Sequence, residues 1–565
     1  MIAPASVNAT EGPDPLALDV KGYAWVERTL SGLSVDDAIA QLFVLSSRAD
    51  SAEECAELSA LRPGGVHRFS SPNLAQALVA TRRMIESADI PLLLSGDIEG
   101  GTAGYPFLTP VPNQMGIAAC DDLVVSEAVA EVIARESRAL GYDWSFTPVI
   151  DLNIAFRNAV VGTRSYGADV ERVLAQARTH VRVLQRHGLA ATAKHWPGDG
   201  VDDRDQHLTT TVNPLDADAW AASFGRLFRT LIADGVMTIM SAHIALPAYA
   251  AHNGIGGKER FAPASVSRLL NQQLLRETLG FRGLIVSDAT VMGGLTSWLD
   301  RRDAVPAVIA GGCDVFLFSR DAASDMDHMR DALRDGRLSE DRLEDAVRRV
   351  LMLKAALKLH RRTTDERVGS LPQVQAALRT KSHLEVGRLA AGRSLTLVKD
   401  TQNLLPLRME VHRRITIIAD AGWTFFAGAA DRSFDPFQDA LQAHGFQLRM
   451  FNPDLPPTRD DTDLIIYLIG QEATPSIGQI HLDFAKMHGG MRRAMMQFNK
   501  EVPTLLLSFG QPYYLRDAAN FATYVNAYSS LAVVQRELVA RLTGERPFEG
   551  VSPVDPFCGE EQLRW

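Results

Sequence analysis

Short runs of apolar residues alternate with helix-length amphipathic stretches over the first 320 residues of the chain. This alternation is typical of buried parallel strands joined by crossover helices. Eight such runs occur, and they cover residues 41–46, 65–69, 91–97, 142–149, 189–195, 236–243, 284–288 and 313–319. Eight parallel strands are the number that closes a (β/α)₈ barrel, so the pattern predicts a TIM barrel.

A helix-forming segment from about Asp325 to Leu395 follows, and apolar runs then resume in the last third of the chain. ITIIAD, DLIIYLIG, PTLLLSFG and ATYVNAY are spaced by helical patterns, which predicts an open, doubly wound sheet of about five strands. The fold class is therefore predicted to be α/β. We expect a TIM-barrel catalytic domain over residues 1–360, a helical linker over 361–395 and a smaller C-terminal α/β sandwich domain over 396–565.

The composition favours a protein that acts on a small molecule. A formal net charge of −10, spread over segments of mixed sign, disfavours nucleic acid and anionic membranes as partners. No apolar run is long enough to cross a bilayer and the first residues lack a secretory pattern, so we expect a soluble, cytoplasmic protein. The four cysteines are scattered without metal-type pairs, which predicts free thiols and neither a bound metal nor another cofactor.

Asp288 ends the seventh apolar run, in GLIVSDATVMGG. TIM-barrel enzymes carry their chemistry at the carboxyl ends of the strands. A carboxylate placed directly after an apolar run must be hydrogen-bonded or have a function. The structural alternative is an aspartate that caps the next helix.

The loop after the fifth run, within AKHWPGDGVDDRDQH, ends in Asp205, Gln206 and His207. Residues two apart in an extended loop project to the same side, so Asp205 can bond one imidazole nitrogen of His207 and leave the other for proton transfer. The alternative is a solvated acidic turn. Since Gly198, Gly200 and the charged residues bring no apolar anchors, we expect the loop to be mobile.

Further polar residues follow the other predicted strands. Lys194 and His195 end the fifth run and are interpreted as groups that bind hydroxyls, because lysine is seldom buried without a partner. Asp97 and Glu99 lie in SGDIEGG, where a carboxylate can accept two adjacent sugar hydroxyls, although the glycine pair is also typical of a simple turn.

Two more residues leave both a functional and a structural interpretation open. Arg164, in VVGTRSYGAD, can donate two parallel hydrogen bonds to neighbouring oxygens or form a surface salt bridge. His243, in SAHIALPA, can contact a ligand or support the residues that do.

These motifs together resemble glycoside hydrolase family 3, and specifically its β-N-acetylglucosaminidase branch. The set comprises KHWPGDG followed by DQH, SDA with Met292 four residues on, DIEGG, GTRSYG and SAH-x-x-x-PA. RSLTLVKDTQNLLPL and ARLTGERPFEGVSPV are similar to the second domain of that family, so the resemblance spans almost the whole chain. Each motif is weak by itself, and their order along eight strands makes the set specific.

Carried over by position, the resemblance implies that Asp288 is the catalytic nucleophile and that Asp205 and His207 form the acid/base dyad. The predicted substrate-binding residues are Asp97, Glu99, Arg164, Lys194, His195, His243 and Met292. The chain departs from the branch in three places: Gln206 replaces a serine, Asp199 stands where histidine is common, and DIEGG is not followed by an arginine. The last two put the exact substrate preference in doubt.

The resemblance implies a retaining, exo-acting β-N-acetylglucosaminidase (β-N-acetylhexosaminidase) that hydrolyses terminal β-linked N-acetylglucosamine through a covalent glycosyl-enzyme. The expected substrate is an N-acetylglucosamine glycoside, chitobiose or a peptidoglycan fragment. Inorganic phosphate is a second candidate acceptor, since a neutral His207 would not repel an anion as a glutamate base would.

Three alternatives remain. A β-glucosidase or another family 3 exo-glycosidase is the first, although glucosidase members take a glutamate acid/base from the second domain. A metal-dependent amidohydrolase would need His-x-His on the first strand, and QLFVLSS has no histidine. A non-catalytic sugar-binding protein would be favoured if the nucleophile or the dyad were missing, and both are present.

Overall fold

The computed structural model describes residues 13–69, 73–101, 107–423, 433–496 and 500–565. The chain forms two compact units. Unit 1 comprises Met1–Ile98, Ile133–Asp151 and Ala177–Leu378, and unit 2 comprises Glu99–Val132, Leu152–Gln176 and Arg379–Trp565. Two segments of unit 2 therefore lie between barrel strands in the sequence. The limits 1–360, 361–395 and 396–565 stay a prediction.

Unit 1 contains the barrel. Its strands are β1 (Phe43–Ser47), β2 (Gly65–Arg68), β3 (Leu93–Gly96), β4 (Trp144–Ser145), β5 (Ala190–Trp196), β6 (Thr211–Val212), β7 (Thr238–Ser241), β8 (Ile244–Ala245), β9 (Leu284–Ser287) and β10 (Phe316–Leu317). Eight of them form one parallel sheet in the order β10-β1-β2-β3-β4-β5-β7-β9, and a parallel bridge between Val286 and Val315 nearly closes it. The eight predicted strands are confirmed, and β6 pairs with β8 outside the barrel.

The α-helices of the described residues follow in chain order. They are α1 (Val20–Ser31), α2 (Val35–Gln41), α3 (Ala52–Ala60), α4 (Leu74–Glu86), α5 (Gln114–Ala119), α6 (Leu123–Ala139), α7 (Val170–Arg186), α8 (Ala217–Ala222), α9 (Phe224–Ala233), α10 (Pro247–His252), α11 (Gly293–Thr296), α12 (Arg301–Ala310), α13 (Ala322–Asp335), α14 (Glu340–Ala356), α15 (Thr364–Arg367), α16 (Leu371–Ala377), α17 (Lys381–Ser394), α18 (Asp435–Ala443), α19 (Phe484–His488), α20 (Met491–Ala494) and α21 (Ala532–Leu542). A π-helix over Leu269–Thr278 precedes β9.

The barrel interior is filled by side chains, as its apolar strands require. Trp144, Phe146, Met240 and Val286 belong to one buried cluster. The Trp144 indole N–H donates to the hydroxyls of Thr192 and Thr238, both at 2.9 Å, so the polar atom inside the barrel is satisfied. Because all eight strands are parallel, their carboxyl ends meet at one rim, and the loops that follow them meet there.

Unit 2 contains a six-stranded sheet. Its strands are β11 (Thr396–Asp400), β12 (Arg414–Asp420), β13 (Gln447–Met450), β14 (Leu464–Ile469), β15 (Thr504–Ser508) and β16 (Thr523–Asn526). The order is β11-β16-β15-β14-β12-β13, with β11 antiparallel and the others parallel. Along β14, Ile466 joins one buried cluster while Ile465 and Tyr467 join another, so the sheet is covered on both faces. The predicted doubly wound α/β fold is confirmed.

Three features predicted from composition can be compared with the described residues. Over those ranges, no helix is long and apolar enough to span a bilayer. Cys55, Cys120, Cys313 and Cys558 are buried free thiols, as predicted. Nowhere in the described part of the chain do three or more His, Cys, Asp or Glu side chains come together in a way that could hold a metal ion.

Candidate active site

Asp288 lies at the carboxyl end of β9, on the barrel rim. Its amide donates to the Ser241 carbonyl of β7 at 2.8 Å, and its Oδ1 accepts from the Ala289 amide at 2.7 Å. The residue is 8% exposed. The next helix, α11, has Met292 as its N-cap residue, so the alternative interpretation of Asp288 as a helix cap is wrong.

Three histidines lower the pKa of the Asp288 carboxyl. Burial raises the pKa of its carboxyl, but the charges of His195, His243 and His207 and the bond from Ala289 outweigh burial and hold the pKa below its ordinary value. Asp288 is therefore an ionised carboxylate at neutral pH. An ionised carboxylate at a strand end is the state that a nucleophile needs.

Asp205 and His207 form the hydrogen bond predicted from their spacing. His207 Nδ1 lies 2.7 Å from Asp205 Oδ1, which also accepts the His207 amide at 2.7 Å. The Asp205 side chain is almost fully buried, whereas that of His207 is 29% exposed. The bond engages Nδ1 and leaves Nε2 as the imidazole atom for proton transfer.

The loop that carries this dyad is attached to the residues around α11. The His207 carbonyl accepts from the Gly293 amide at 2.7 Å, and the Gln206 carbonyl accepts from the Gly294 amide at 3.1 Å. In addition, Gln206 Oε1 accepts from the His243 amide at 3.1 Å. These anchors are polar, and the loop sequence did not reveal them. The mobility of the loop stays a prediction.

Lys194 is paired with Asp97, as a buried lysine requires. Its Nζ donates to Asp97 Oδ1 at 2.7 Å, and its side chain is 2% exposed against 33% for Asp97. The other oxygen, Asp97 Oδ2, lies 3.6 Å from Nε2 of His67 on β2. Burial lowers the pKa of His67 to about 4, so this imidazole is neutral. His67 was not predicted, because in GVHRF it is one of two polar residues inside a short run that shows no motif.

His195 is held by Asp151, which the sequence analysis also missed. Asp151 Oδ2 lies 2.6 Å from His195 Nδ1, and its Oδ1 accepts the amides of His195 and Asp199 at 3.1 Å and 2.8 Å. Asp151 is fully buried. Its signal in the sequence was a single acidic residue two positions after the fourth apolar run, close to the place that Asp288 occupies at the end of the seventh.

Asp199 is a buried carboxyl beside Asp151. Burial, followed by the charge of Asp151, raises the pKa of Asp199 well above its ordinary value. Its Oδ1 accepts from the Gly200 amide at 2.7 Å. Burial therefore favours the protonated form of Asp199, at the position where the resembled branch commonly has histidine.

His243 supports the segment that follows Asp288. Its Nε2 donates to the Ala289 carbonyl at 3.1 Å, and its Nδ1 lies 2.8 Å from the Ser265 hydroxyl. Burial lowers the pKa of His243 despite the opposing charge of Asp288. Met292 is 6% exposed and donates its amide to the same carbonyl at 3.0 Å. Both residues thus shape the Asp288 loop.

Glu99 and Arg164 belong to unit 2, and there they pair with each other. Arg164 donates from Nε to Glu99 Oε2 at 2.7 Å and from Nη2 to Oε1 at 2.8 Å. The Arg164 side chain is 17% exposed and that of Glu99 is 6% exposed, so the salt bridge given as the alternative is present but is largely buried rather than at the surface. Arg164 donates two parallel hydrogen bonds, as expected, and their acceptor is the Glu99 carboxylate.

Comparison with known protein families and sequences is consistent with this geometry. The model of the glycosyl hydrolase family 3 N-terminal domain matches residues 34–353. A β-N-acetylglucosaminidase/β-glucosidase of Cellulomonas fimi is 39% identical over 563 residues, covering 97% of this chain and 98% of that protein. A β-hexosaminidase of Methylobacillus flagellatus is 33% identical over 267 residues, covering 45% of this chain and 72% of that protein.

Two solved structures extend the comparison to the fold. The β-glucoside phosphorylase BglX bound to 2FGlc superposes with a TM-score of 0.91 at 33% identity, covering 97% of this chain and 99% of that one. A β-N-acetylglucosaminidase of family 3 from Paenibacillus sp. str. FPU-7 superposes with a TM-score of 0.78, covering 93% of this chain and 99% of that one; its 22% identity shows the fold alone. The barrel, the full-length relative and the family match over more than half of the sequence together establish that the chain belongs to glycoside hydrolase family 3.

Proposed function

We propose that the chain is a retaining, exo-acting enzyme that removes terminal β-linked N-acetylglucosamine through a covalent glycosyl-enzyme on Asp288. One observation carries the proposal: the imidazole of His207, which is hydrogen-bonded to Asp205, lies close enough to Asp288 for its charge to help lower the pKa of that carboxyl. A carboxylate nucleophile and a separate acid/base are the two groups that a retaining mechanism needs.

In the first step, an Asp288 oxygen attacks the anomeric carbon while the glycosidic C–O bond breaks. His207 Nε2 gives its proton to the departing oxygen. Asp205 holds Nδ1 and stabilises the imidazolium before the transfer, which is the role of a carboxylate behind a catalytic histidine. The product of this step is an ester between Asp288 and the sugar.

In the second step, an acceptor oxygen attacks the anomeric carbon and the ester bond to Asp288 breaks. The neutral His207 takes the proton of the acceptor, which restores the starting state of the enzyme. Two displacements at the same carbon retain the β configuration. Water gives the free sugar, and phosphate gives a β-configured sugar 1-phosphate.

We assign phosphate, in competition with water, as the acceptor. A glutamate base is anionic when the ester is opened and repels phosphate, whereas a neutral imidazole does not. The name of the phosphorylase BglX, to which this chain is 33% identical, supports the same acceptor.

The sugar preference rests on the relatives and on two side chains of the rim. Asp97 is the more exposed partner of the Lys194 pair and can accept sugar hydroxyls, with Lys194 donating beside it. A β-glucoside is the second candidate substrate, because the Cellulomonas relative is named for both activities and Asp199 replaces the usual histidine. The binding roles of Glu99 and Arg164 stay predictions, as does the cytoplasmic location.

The test is a panel of p-nitrophenyl β-glycosides assayed with and without millimolar phosphate. We expect the N-acetylglucosaminide to be cleaved with the highest kcat/KM, and phosphate to divert product into a β-sugar 1-phosphate. If the glucoside is cleaved with a higher kcat/KM than the N-acetylglucosaminide, the β-glucoside is the preferred substrate. If neither the rate nor the products change with phosphate, the enzyme is a hydrolase and phosphate is not its acceptor.

A further inference from the structure

Gln206 lies between the two dyad residues and is fully buried. We infer that Gln206 is a positioning residue, which fixes the Asp205/His207 loop against the segment carrying Asp288 so that His207 is in place for proton transfer before a glycoside binds. This inference rests on the proposed acid/base role of His207. Gln206 itself touches no reacting atom in the proposed mechanism.

The contacts of Gln206 reach two other elements of unit 1 and the beginning of its own loop. Its Oε1 accepts from the amide of His243, between β7 and β8, at 3.1 Å. Its backbone carbonyl accepts from the amide of Gly294, in α11, at 3.1 Å. Its Nε2 makes a longer bond of 3.4 Å to Asp199 Oδ2, in the loop after β5. One residue thus ties the acid/base loop to two other points on the rim and joins the two ends of that loop.

His243 links Gln206 to the segment that contains Asp288. While its backbone amide bonds Gln206, its imidazole donates to the carbonyl of Ala289, the residue after Asp288. Gln206, His243 and Ala289 therefore form a continuous hydrogen-bonded path from the acid/base to the nucleophile. A fixed separation between these two groups is what concerted protonation and attack require.

The loop packs closely against α11 at Gly294. A Cβ added at Gly294 would lie 2.6 Å from the Gln206 carbonyl oxygen and 2.6 Å from the His243 Cβ. The loop therefore rests directly on the backbone of α11. A serine at position 206, as in the resembled Asp-Ser-His dyad, lacks the length to reach the His243 amide and Asp199 together.

The test compares two leaving groups in the variant Gln206→Ser. An alkyl glycoside needs its leaving oxygen protonated, whereas a dinitrophenyl glycoside does not. Since displacement of a catalytic group by about 1 Å lowers rates up to roughly 10²-fold, we expect kcat/KM for the alkyl glycoside to fall about 10- to 100-fold. For the dinitrophenyl glycoside, kcat/KM should stay within about 2-fold of the wild type.

Two further variants make the result specific. Asp203→Ser changes an exposed residue of the same loop and should alter neither kcat/KM value. Gln206→Met keeps the side-chain volume without its hydrogen bonds, and it should reproduce the selective loss if Gln206→Ser fails to fold. Thermal unfolding of each variant checks that the fold is retained.

The His207→Ala variant separates failure of this inference from failure of the proposed function. If His207→Ala loses alkyl-glycoside activity selectively but the Gln206 variants do not, the positioning role is wrong and the acid role stands. If the Gln206 variants slow both glycosides equally, the role of Gln206 is structural only. A His207→Ala variant that slows both glycosides equally would overturn the acid role, and the positioning inference with it.

Discussion

Replacement of His207 by glutamate tests the proposal that a histidine acid/base admits phosphate as the acceptor. A carboxylate at this position can still move a proton, but it is negatively charged when the glycosyl-enzyme must be opened. We expect His207→Glu, combined with Asp205→Asn, to favour water over phosphate. The second change is needed because Asp205 lies 2.7 Å from the His207 imidazole, and two carboxylates there would repel each other.

The size of the effect follows from the exposure of position 207. Two unit charges about 4 Å apart repel by about 4 kcal/mol at an effective dielectric constant near 20 and by about 1 kcal/mol in bulk water. At about 1.4 kcal/mol per tenfold change, these limits are roughly 10³-fold and 5-fold. The His207 side chain is 29% exposed, so its environment lies between the limits. We expect the ratio of phosphorolysis to hydrolysis to fall by about 10- to 100-fold.

The assay measures the ratio of sugar 1-phosphate to free sugar formed from one dinitrophenyl glycoside at a fixed phosphate concentration. Both products arise from the same glycosyl-enzyme, so slower formation of that intermediate or partial unfolding cancels from the ratio. His207→Gln, with Asp205→Asn, is the matched control that is neutral and cannot accept a proton. An unchanged product ratio in the glutamate variant would refute the electrostatic argument.

Two other predictions concern the surroundings of the dyad. Since the folded protein raises the pKa of Asp199, it retains a proton that the unfolded chain releases above 3.8, and its stability falls as the pH rises. Asp199→Asn should therefore lose less unfolding free energy than the wild type as the pH rises above 3.8 in urea titrations, and an equal slope would contradict the raised pKa of Asp199. Gly294→Ala should lower the unfolding free energy by about 1–3 kcal/mol because its Cβ would overlap Gln206 and His243. Gly256→Ala, where nothing lies within 4 Å, is the control, and equal melting temperatures for the two variants would disprove the close contact.

The sequence predicted the barrel because its strands are buried on both faces and appear as uninterrupted apolar runs. The same signal identified four strands of the second sheet. β13 was missed because this edge strand, Gln447–Met450, is half-exposed and has no apolar run. The two discontinuous segments of unit 2, 99–132 and 152–176, were also missed, because chain order does not reveal which unit a loop packs with.

The candidate site was predictable where a polar residue ends an apolar run, as at Asp288 and Lys194. Partners from other loops were not predictable in the same way. Asp151 bonds His195 across 44 positions of sequence, and Gln206 bonds the His243 amide across 37. Such contacts depend on the arrangement of loops around the rim, which a single sequence does not show as a local pattern. The raised pKa of Asp199 likewise depends on a burial that its hydrophilic loop does not indicate.

The most direct test of the account is to trap the glycosyl-enzyme. In a 2-fluoro-sugar with a dinitrophenyl leaving group, the good leaving group keeps formation of the glycosyl-enzyme fast while the fluorine slows its breakdown. The intermediate therefore accumulates on the nucleophile. The account predicts, by mass spectrometry of a proteolytic digest, one added sugar on the peptide that contains Asp288, and none in Asp288→Ala. A sugar attached to any other residue, or a first product of inverted configuration by NMR, would contradict it.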